Sequence, residues 1–329
     1  MSNARTWRFA APFVIAVVVA VLPLVVTDRF LLKVFTFAGV NALVVVGLSL
    51  LFGYAGQVSL GHAAFVGIGA YASAYCTVHL HWPWILGFLV AGAVSALGGL
   101  VLAVPSLRLK GYYLAVATLG FGELMALGFK EAEPVTGGVD GFTGIPYPAL
   151  GPFEFRTAPS LYWLVWGIVG VALLIAWNTS SLRPGRAMRA LHGSELGAQA
   201  SGVDVVGVKV RTFVMSAVIA GLAGALYAGV VGFVSPSVFT VSASVTFMAM
   251  AVIGGTGSLA GPLLAAVLLT LLQYFDALIP GIPRSTSQAL QEYREDIYAL
   301  AIILVVIFAP RGLGGLWRRR DRGGGEVPP

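Results

Sequence analysis

The sequence predicts an all-α polytopic membrane protein of about ten transmembrane helices, with the N-terminus and the C-terminus both cytoplasmic. Three observations predict it. Of the 329 residues, 58% are hydrophobic and only 10% charged, whereas a soluble globular domain carries about 25% charged residues. Apolar runs recur along the chain at a length suited to a hydrocarbon core of about 30 Å, which takes about 20 residues of helix. The basic residues, finally, gather between alternate runs, as the positive-inside rule requires.

The runs fall at 9–26, 30–52, 63–80, 83–104, 112–129, 161–177, 213–231, 245–254, 262–279 and 297–309. The first follows Arg5 and Arg8. It is too long for the apolar core of a signal peptide, and TDRF offers no small-residue cleavage site, so it reads as a retained span. The eighth and tenth are too short to cross as regular helices. They must extend into polar flanks or run into irregular backbone buried in protein. Threading these spans from a cytoplasmic N-terminus places 14 of the 20 Lys and Arg residues inside: Arg5, Arg8, Arg108, Lys110, Arg183, Arg186, Arg189, Lys209, Arg211, Arg311, Arg318, Arg319, Arg320 and Arg322. Residues 1–317 then form a single transmembrane domain, and 318–329 (RRDRGGGEVPP after Arg318) a disordered cytoplasmic tail attracted to lipid headgroups.

Three connections are longer than turns. The external loop 130–160 is rich in Gly and Pro, carries acids and suits docking; the cytoplasmic loop 178–212 carries five basic residues; and the outer stretch 280–296 is mixed in charge. A net charge of +6 raises nucleic acid as a partner. The basic residues sit at span ends, however, so they orient the chain in the bilayer and no nucleic acid is expected. The one cysteine, Cys76, lies within an apolar span, which leaves a packing role and excludes a disulfide framework or cysteine metal site. His79 and His81 stand two apart, and such neighbours do not face one another on a helix, so no metal site is expected there.

Polar residues inside apolar runs carry the functional argument. LFGYAGQVSLGHAAF sets Gly53, Gly56, Gln57, Ser59, Gly61 and His62 between two apolar stretches. VIGGTGSLAGPLLAA repeats the break, with Gly254 and Gly257 offset by 201 residues from Gly53 and Gly56, and Ser258 following. Paired glycine-interrupted segments point to a transport site, because a broken helix frees backbone groups that lipid cannot satisfy and a polar path can. Gly67, Gly69, Ala70, Ser73 and Ala74 read instead as small residues for close helix packing. Gly255, Gly257 and Ala260, with Asp276 beyond, fit the dinucleotide pattern G-x-G-x-x-G/A, but apolar membrane runs flank them where a βαβ unit is needed. Glu123 is the one acidic residue well inside a span and by default a functional candidate. No nucleophile, base and orienting acid gather, and no Walker A loop is present, so the chain is not expected to be an enzyme.

GYAGQVSLGHAAFVGIGAY, RLKGYYLAVATLGFGEL, TGGVDG, GRAMRALHGSELGAQASGV and FVMSAVIAGLAGALYA, followed by AVIGGTGSLAGPLLAA, together resemble the branched-chain amino-acid ABC importer permeases, most of all the M-type, longer membrane subunit. The blocks run in order from about residue 39 to 313. The resemblance implies a bacterial or archaeal inner-membrane permease that pairs with an H-type permease, two cytoplasmic ATPase subunits and an external substrate-binding protein. It implies no cofactor on this chain, with ATP and Mg on the ATPase subunits. Gly185, Arg186, Arg189, Ala190, Glu195, Ala198 and Gly202 would hold the coupling helix that docks on an ATPase, and RAMRALHGSELGAQA can form a helix. The chain departs from the family at His192, where an arginine is common, and after Glu123, where a basic residue often follows. The cargo stays open among branched-chain amino acids, urea, short amides and aromatic acids. A stand-alone secondary transporter or channel, with Glu123 as a proton or cation site, is the alternative; it has no need of a docking loop.

Overall fold

The computed structural model describes Pro23, residues 28–274 and Leu300. Apart from Pro23 and Leu300, the predicted spans 9–26 and 297–309, the end of 262–279, the outer stretch 280–296, Asp276 and the tail 318–329 lie outside these residues. Every other predicted span overlaps a helix. α1 is Arg29–Leu48, continued by a π-helical turn Ser49–Tyr54; α2 is His62–Val78, α3 Trp84–Ser106, α4 Tyr112–Glu131 and α5 the short Glu133–Thr136. α6 is Ala158–Ser181, α7 Arg183–Gly193, α8 Glu195–Ala200, α9 Val205–Val231, α10 Val241–Gly254 and α11 Ala260–Gln273. Among the described residues, six helical segments are long and apolar enough to cross a membrane: Arg29–Tyr54, α3, α4, α6, α9 and Pro236–Gly254.

Short polar side chains start five of these helices. Asp28, Thr157, Ser194, Asp204 and Thr240 accept from first-turn backbone N–H groups at the head of α1, α6, α8, α9 and α10, satisfying donors that have no partner within the helix. α2 is among the helices without one: its N-cap is Gly61, with no side-chain cap.

α2 is the centre of the bundle, buried without interruption from His62 to Tyr71 and packed against α3 and α9. Its crossing with α9 depends on absent side chains. A carbon added at Gly69 would fall on the Gly221 carbonyl, and one at Gly224 on the Val66 carbonyl, so the two backbones touch, as small-residue faces permit in membranes. Longer-range ties complete the core: Asn41 Nδ2 donates to Thr270 Oγ1 at 2.9 Å, and Trp166 Nε1 to the Phe35 carbonyl at 3.1 Å. The outer side of α3 presents Leu97, Val101 and Val104 at helical spacing, each more than 60% exposed, a stripe suited to hydrocarbon.

The short eighth span is resolved by its flank. α10 has 14 residues, about 21 Å of helix, and is preceded by a partly buried irregular stretch in which Pro236–Val238 make one 3-10 turn and Pro236 and Phe239 are buried. Segment 130–160 is more ordered than its Gly and Pro content predicts: β1 (Phe142–Thr143) pairs antiparallel with β4 (Phe233–Val234), and β2 (Ala149–Leu150) with β3 (Phe153–Glu154). Most of 178–212 is likewise helical. The single helix expected over RAMRALHGSELGAQA is two, because Ser194 takes extended backbone (φ −162°, ψ 121°) and caps α8 by accepting from Gly197 N.

Candidate functional site: a broken, polar helix start inside an apolar bundle

α1 ends in a π-helical turn, a feature found mostly as single turns and frequently at functional sites. The chain then passes through Ala55–Gly61 before α2 begins. Gly56 has φ +70°, open to glycine at little steric cost, and a side-chain carbon there would lie 3.0 Å from His192 Nδ1 of α7. Gly53 faces the second break: its added carbon would lie 3.7 Å from Gly257 N. The two glycine-rich segments, 201 residues apart in sequence, are neighbours at the end of the bundle that carries α7.

The start of α2 is held by neighbouring helices in place of its own cap. Leu60 N donates to Thr118 Oγ1 of α4 at 2.9 Å, and Ala63 N to Ser244 Oγ of α10 at 2.9 Å. Gly61 is wedged so tightly that a side-chain carbon would overlap the Thr118 carbonyl. His62 is fully buried, with Nε2 3.3 Å from Ser216 Oγ of α9. Ser216 Oγ donates its one proton to the Gly47 carbonyl at 2.8 Å, so His62 Nε2 carries the hydrogen and donates to Ser216. α1, α2 and α9 are joined through that chain.

Gln57 and Ser59 are buried as well. Gln57 Oε1 and Nε2, Ser59 Oγ and His62 Nδ1 have no hydrogen-bond partner among the described residues. An unpaired buried polar group costs about 1–3 kcal/mol, and four of the six such side-chain atoms among the described residues fall within residues 57–62.

Glu123 stands apart from this cluster. Its neighbour Gly122 is buried against Gly61, whereas Glu123 is exposed on the open face of α4 with Val116, Leu124 and Leu127. At the second break, Gly254 is buried with its backbone against Pro262, Gly257 has φ +76°, and Ser258 Oγ accepts from Gly261 N at 3.3 Å at the head of α11.

α7 is amphipathic. Gly185, Met188 and Leu191 are buried, while Arg183, Arg186 and Arg189 are exposed. Gly185 lies against the Ser180 carbonyl, which also accepts from Arg189 Nη1 at 2.9 Å, so Arg189 closes the end of α6. In α8, Ala198 is buried and Leu196 is 75% exposed; Ala190 is half-buried, and Gly202 is exposed in a turn at φ +77°. Glu195 turns toward its own chain, 2.9 Å from Lys209 Nζ and 2.9 Å from Lys110 Nζ. Burial raises its pKa, but the hydrogen bonds from Lys209 and Lys110 and their charges outweigh it and hold the carboxyl below its ordinary range. Sequence reasoning missed Thr118, Ser216, Ser244 and Lys209. Isolated hydroxyls in apolar runs were the only signal available for the first three.

Apolar helices gathered around a broken polar segment, with an amphipathic element folded against one end, define a multi-pass membrane permease. The family described as "Branched-chain amino acid transport system / permease component" matches residues 30–309, and the chain belongs to it. The chain is similar to the high-affinity branched-chain amino acid transport system permease protein LivM of Salmonella typhimurium, at 33% identity over 81% of this chain and 66% of that protein. It thus spans just under two thirds of that relative's length. It is also similar to LivH of Escherichia coli, a permease protein of the same system, at 26% identity over 85% of this chain and 92% of the relative, and to the ribose import permease protein RbsC of Haemophilus influenzae, at 24% over 91% of each. No solved structure matches.

Proposed function

We propose that the chain is the M-type permease subunit of an ABC importer. It forms the translocation path for branched-chain, hydrophobic amino acids together with an H-type permease, and is driven by two cytoplasmic ATPase subunits and supplied by an external binding protein. In this reading it crosses a bacterial or archaeal inner membrane about ten times with both termini cytoplasmic. It carries no cofactor, ATP and Mg being held by the partners. Residues 178–212 meet the ATPase and 130–160 face the binding protein.

The observation that carries the reading is α7–α8: an amphipathic pair whose buried side grips the bundle while Arg183, Arg186 and Leu196 point away from it. A carrier working alone has no need of such a surface. The first broken segment lies against it, Gly56 beside His192, so movement of α7 reaches the polar cluster by contact. A ligand or partner shifts a conformational equilibrium only by its differential affinity for the two states, and a docked ATPase supplies that difference. Glu123 and the open face of α4 are assigned to the side of the path shared with the second permease, where an intramembrane carboxylate can meet polar surroundings. The 33% identity to LivM supports amino acids as cargo, while the likeness to a ribose permease over the full alignment means that overall fold does not select the cargo.

Purification of the tagged chain from its native membrane in mild detergent, followed by mass spectrometry, tests the assembly. Co-recovery of a second permease and Walker-type ATPases is expected. Recovery of the chain alone, from a preparation that preserves other ABC complexes, would overturn it in favour of a secondary transporter. Uptake of radiolabelled leucine by cells lacking and regaining the chain tests the cargo.

A further inference from the structure

Glu195 lies where three elements meet: α8, the foot of α9 and the connection between α3 and α4. Its two arms differ in kind. Lys209 is only 4% exposed, and the two oxygens of Glu195 are divided between it and Lys110. Among the described residues, Glu195 is the only carboxylate within ion-pair distance of Lys209. A buried ammonium without a partner is strongly unfavourable. Lys110 is 61% exposed on its side chain, where an ion pair contributes little.

We infer that Glu195 is a positioning residue, the joint that fastens the coupling segment to α9, and does not itself contact the ATPase. The inference rests on the importer reading above and deepens it. Lifting α8 away strands Lys209, so a push on the outward face of α7–α8 must carry the foot of α9 with it. α9 packs against α1, α2 and α3 and holds Ser216, the residue bonded to His62. Displacement at the joint therefore reaches the polar cluster through one rigid helix. The Lys110 arm adds a lesser tie to the α3–α4 connection.

The test uses the assembled importer in proteoliposomes with leucine as the probe, and reads the ATP hydrolysed per leucine imported. Glu195→Gln is expected to raise that ratio at least tenfold, and Lys110→Ala to leave it within twofold. In a Lys110→Ala chain, the exchange Glu195→Lys with Lys209→Glu is expected to bring it back within about threefold of the unaltered importer. A variant that merely destabilises the complex lowers hydrolysis and import together and leaves the ratio unchanged; that result for Glu195→Gln overturns the joint. Hydrogen exchange on the purified chain reads the same joint without transport. Glu195→Gln should speed exchange across residues 195–200 and 205–212 together, and unchanged exchange at the foot of α9 overturns the inference. A complex that shows no ATP-dependent import at all would sink the importer reading while leaving this second measurement decisive for the joint.

Discussion

The two glycine-rich breaks use one backbone device and carry different chemical loads. At 53–62 and at 254–258 an apolar helix ends, a glycine takes the left-handed conformation (Gly56 at φ +70°, Gly257 at φ +76°), and a second apolar helix starts. The first break buries Gln57, Ser59 and His62 and starts α2 inside the bundle, where Thr118 and Ser244 of other helices cap it. The second leaves Thr256 exposed and Ser258 half-buried, and its own serine serves the new helix. A helix start near solvent can be satisfied locally or by water. One inside an apolar bundle needs donors and acceptors from other helices, which makes it sensitive to their movement.

Gly61→Ala should break the comparison most sharply. The new carbon falls on the Thr118 carbonyl, and overpacking of this kind costs about 1–3 kcal/mol, occasionally more. We expect loss of leucine uptake and a lowered apparent melting temperature in detergent; normal values for both would mean that α4 does not grip the start of α2. Ser216→Ala comes next, at about 1–3 kcal/mol, because it leaves His62 Nε2–H and the Gly47 carbonyl without the hydroxyl between them. Its signature is destabilisation that a His62→Leu background absorbs, since the histidine is then no longer there to be stranded. Additive losses in the double variant would remove the His62–Ser216 link.

Gly56→Ala and Gly257→Ala share a left-handed penalty of about 1–2 kcal/mol. At Gly56 the added carbon also presses on α7, 3.0 Å from His192 Nδ1. Uptake should fall further for Gly56→Ala, and a His192→Ala background should bring the two variants level. If the gap persists without the imidazole, the His192 side chain is not its source.

What could be read from the sequence follows the range of the forces involved. Apolar runs and their polar interruptions are local, so the helices at 30–52, 83–104 and 112–129 and the unusual character of Gln57, Ser59 and His62 were legible. Caps donated across the bundle were not. Thr118 Oγ1 donates to the Ala115 carbonyl of its own helix while accepting from Leu60 N, and Thr36 makes the same kind of backward bond, to the Leu32 carbonyl, outside the cluster. A lone hydroxyl in an apolar run thus gives no warning of its second partner. Lys209 read as an ordinary charge at the foot of a span. Its ion pair comes from Glu195 at the start of α8, where Ser194 splits one expected helix into two. The open side of α4 was hidden for a related reason: the helix is apolar nearly all round, so sequence does not say which side the bundle leaves uncovered.

Ser258→Ala should have the smallest effect. The hydroxyl accepts one backbone N–H at 3.3 Å in a half-buried setting, and the loss of a helix-start acceptor of this kind costs about 0.5 kcal/mol at the low end of its range. The freed Gly261 N–H lies at the head of α11, and Thr256 at the same break is exposed. Uptake should stay within about twofold of the unaltered chain, a change that 0.5 kcal/mol allows. Ser59→Ala at the first break removes a hydroxyl that has no partner among the described residues in this conformation. If both serines were only structural, Ser59→Ala would be neutral or stabilising and Ser258→Ala mildly harmful. If Ser59 finds its partner when the path opens, Ser59→Ala will raise the melting temperature yet lower uptake. That opposite movement of stability and transport at the first break, and its absence at the second, separates a residue retained for the transport cycle from one retained for the fold.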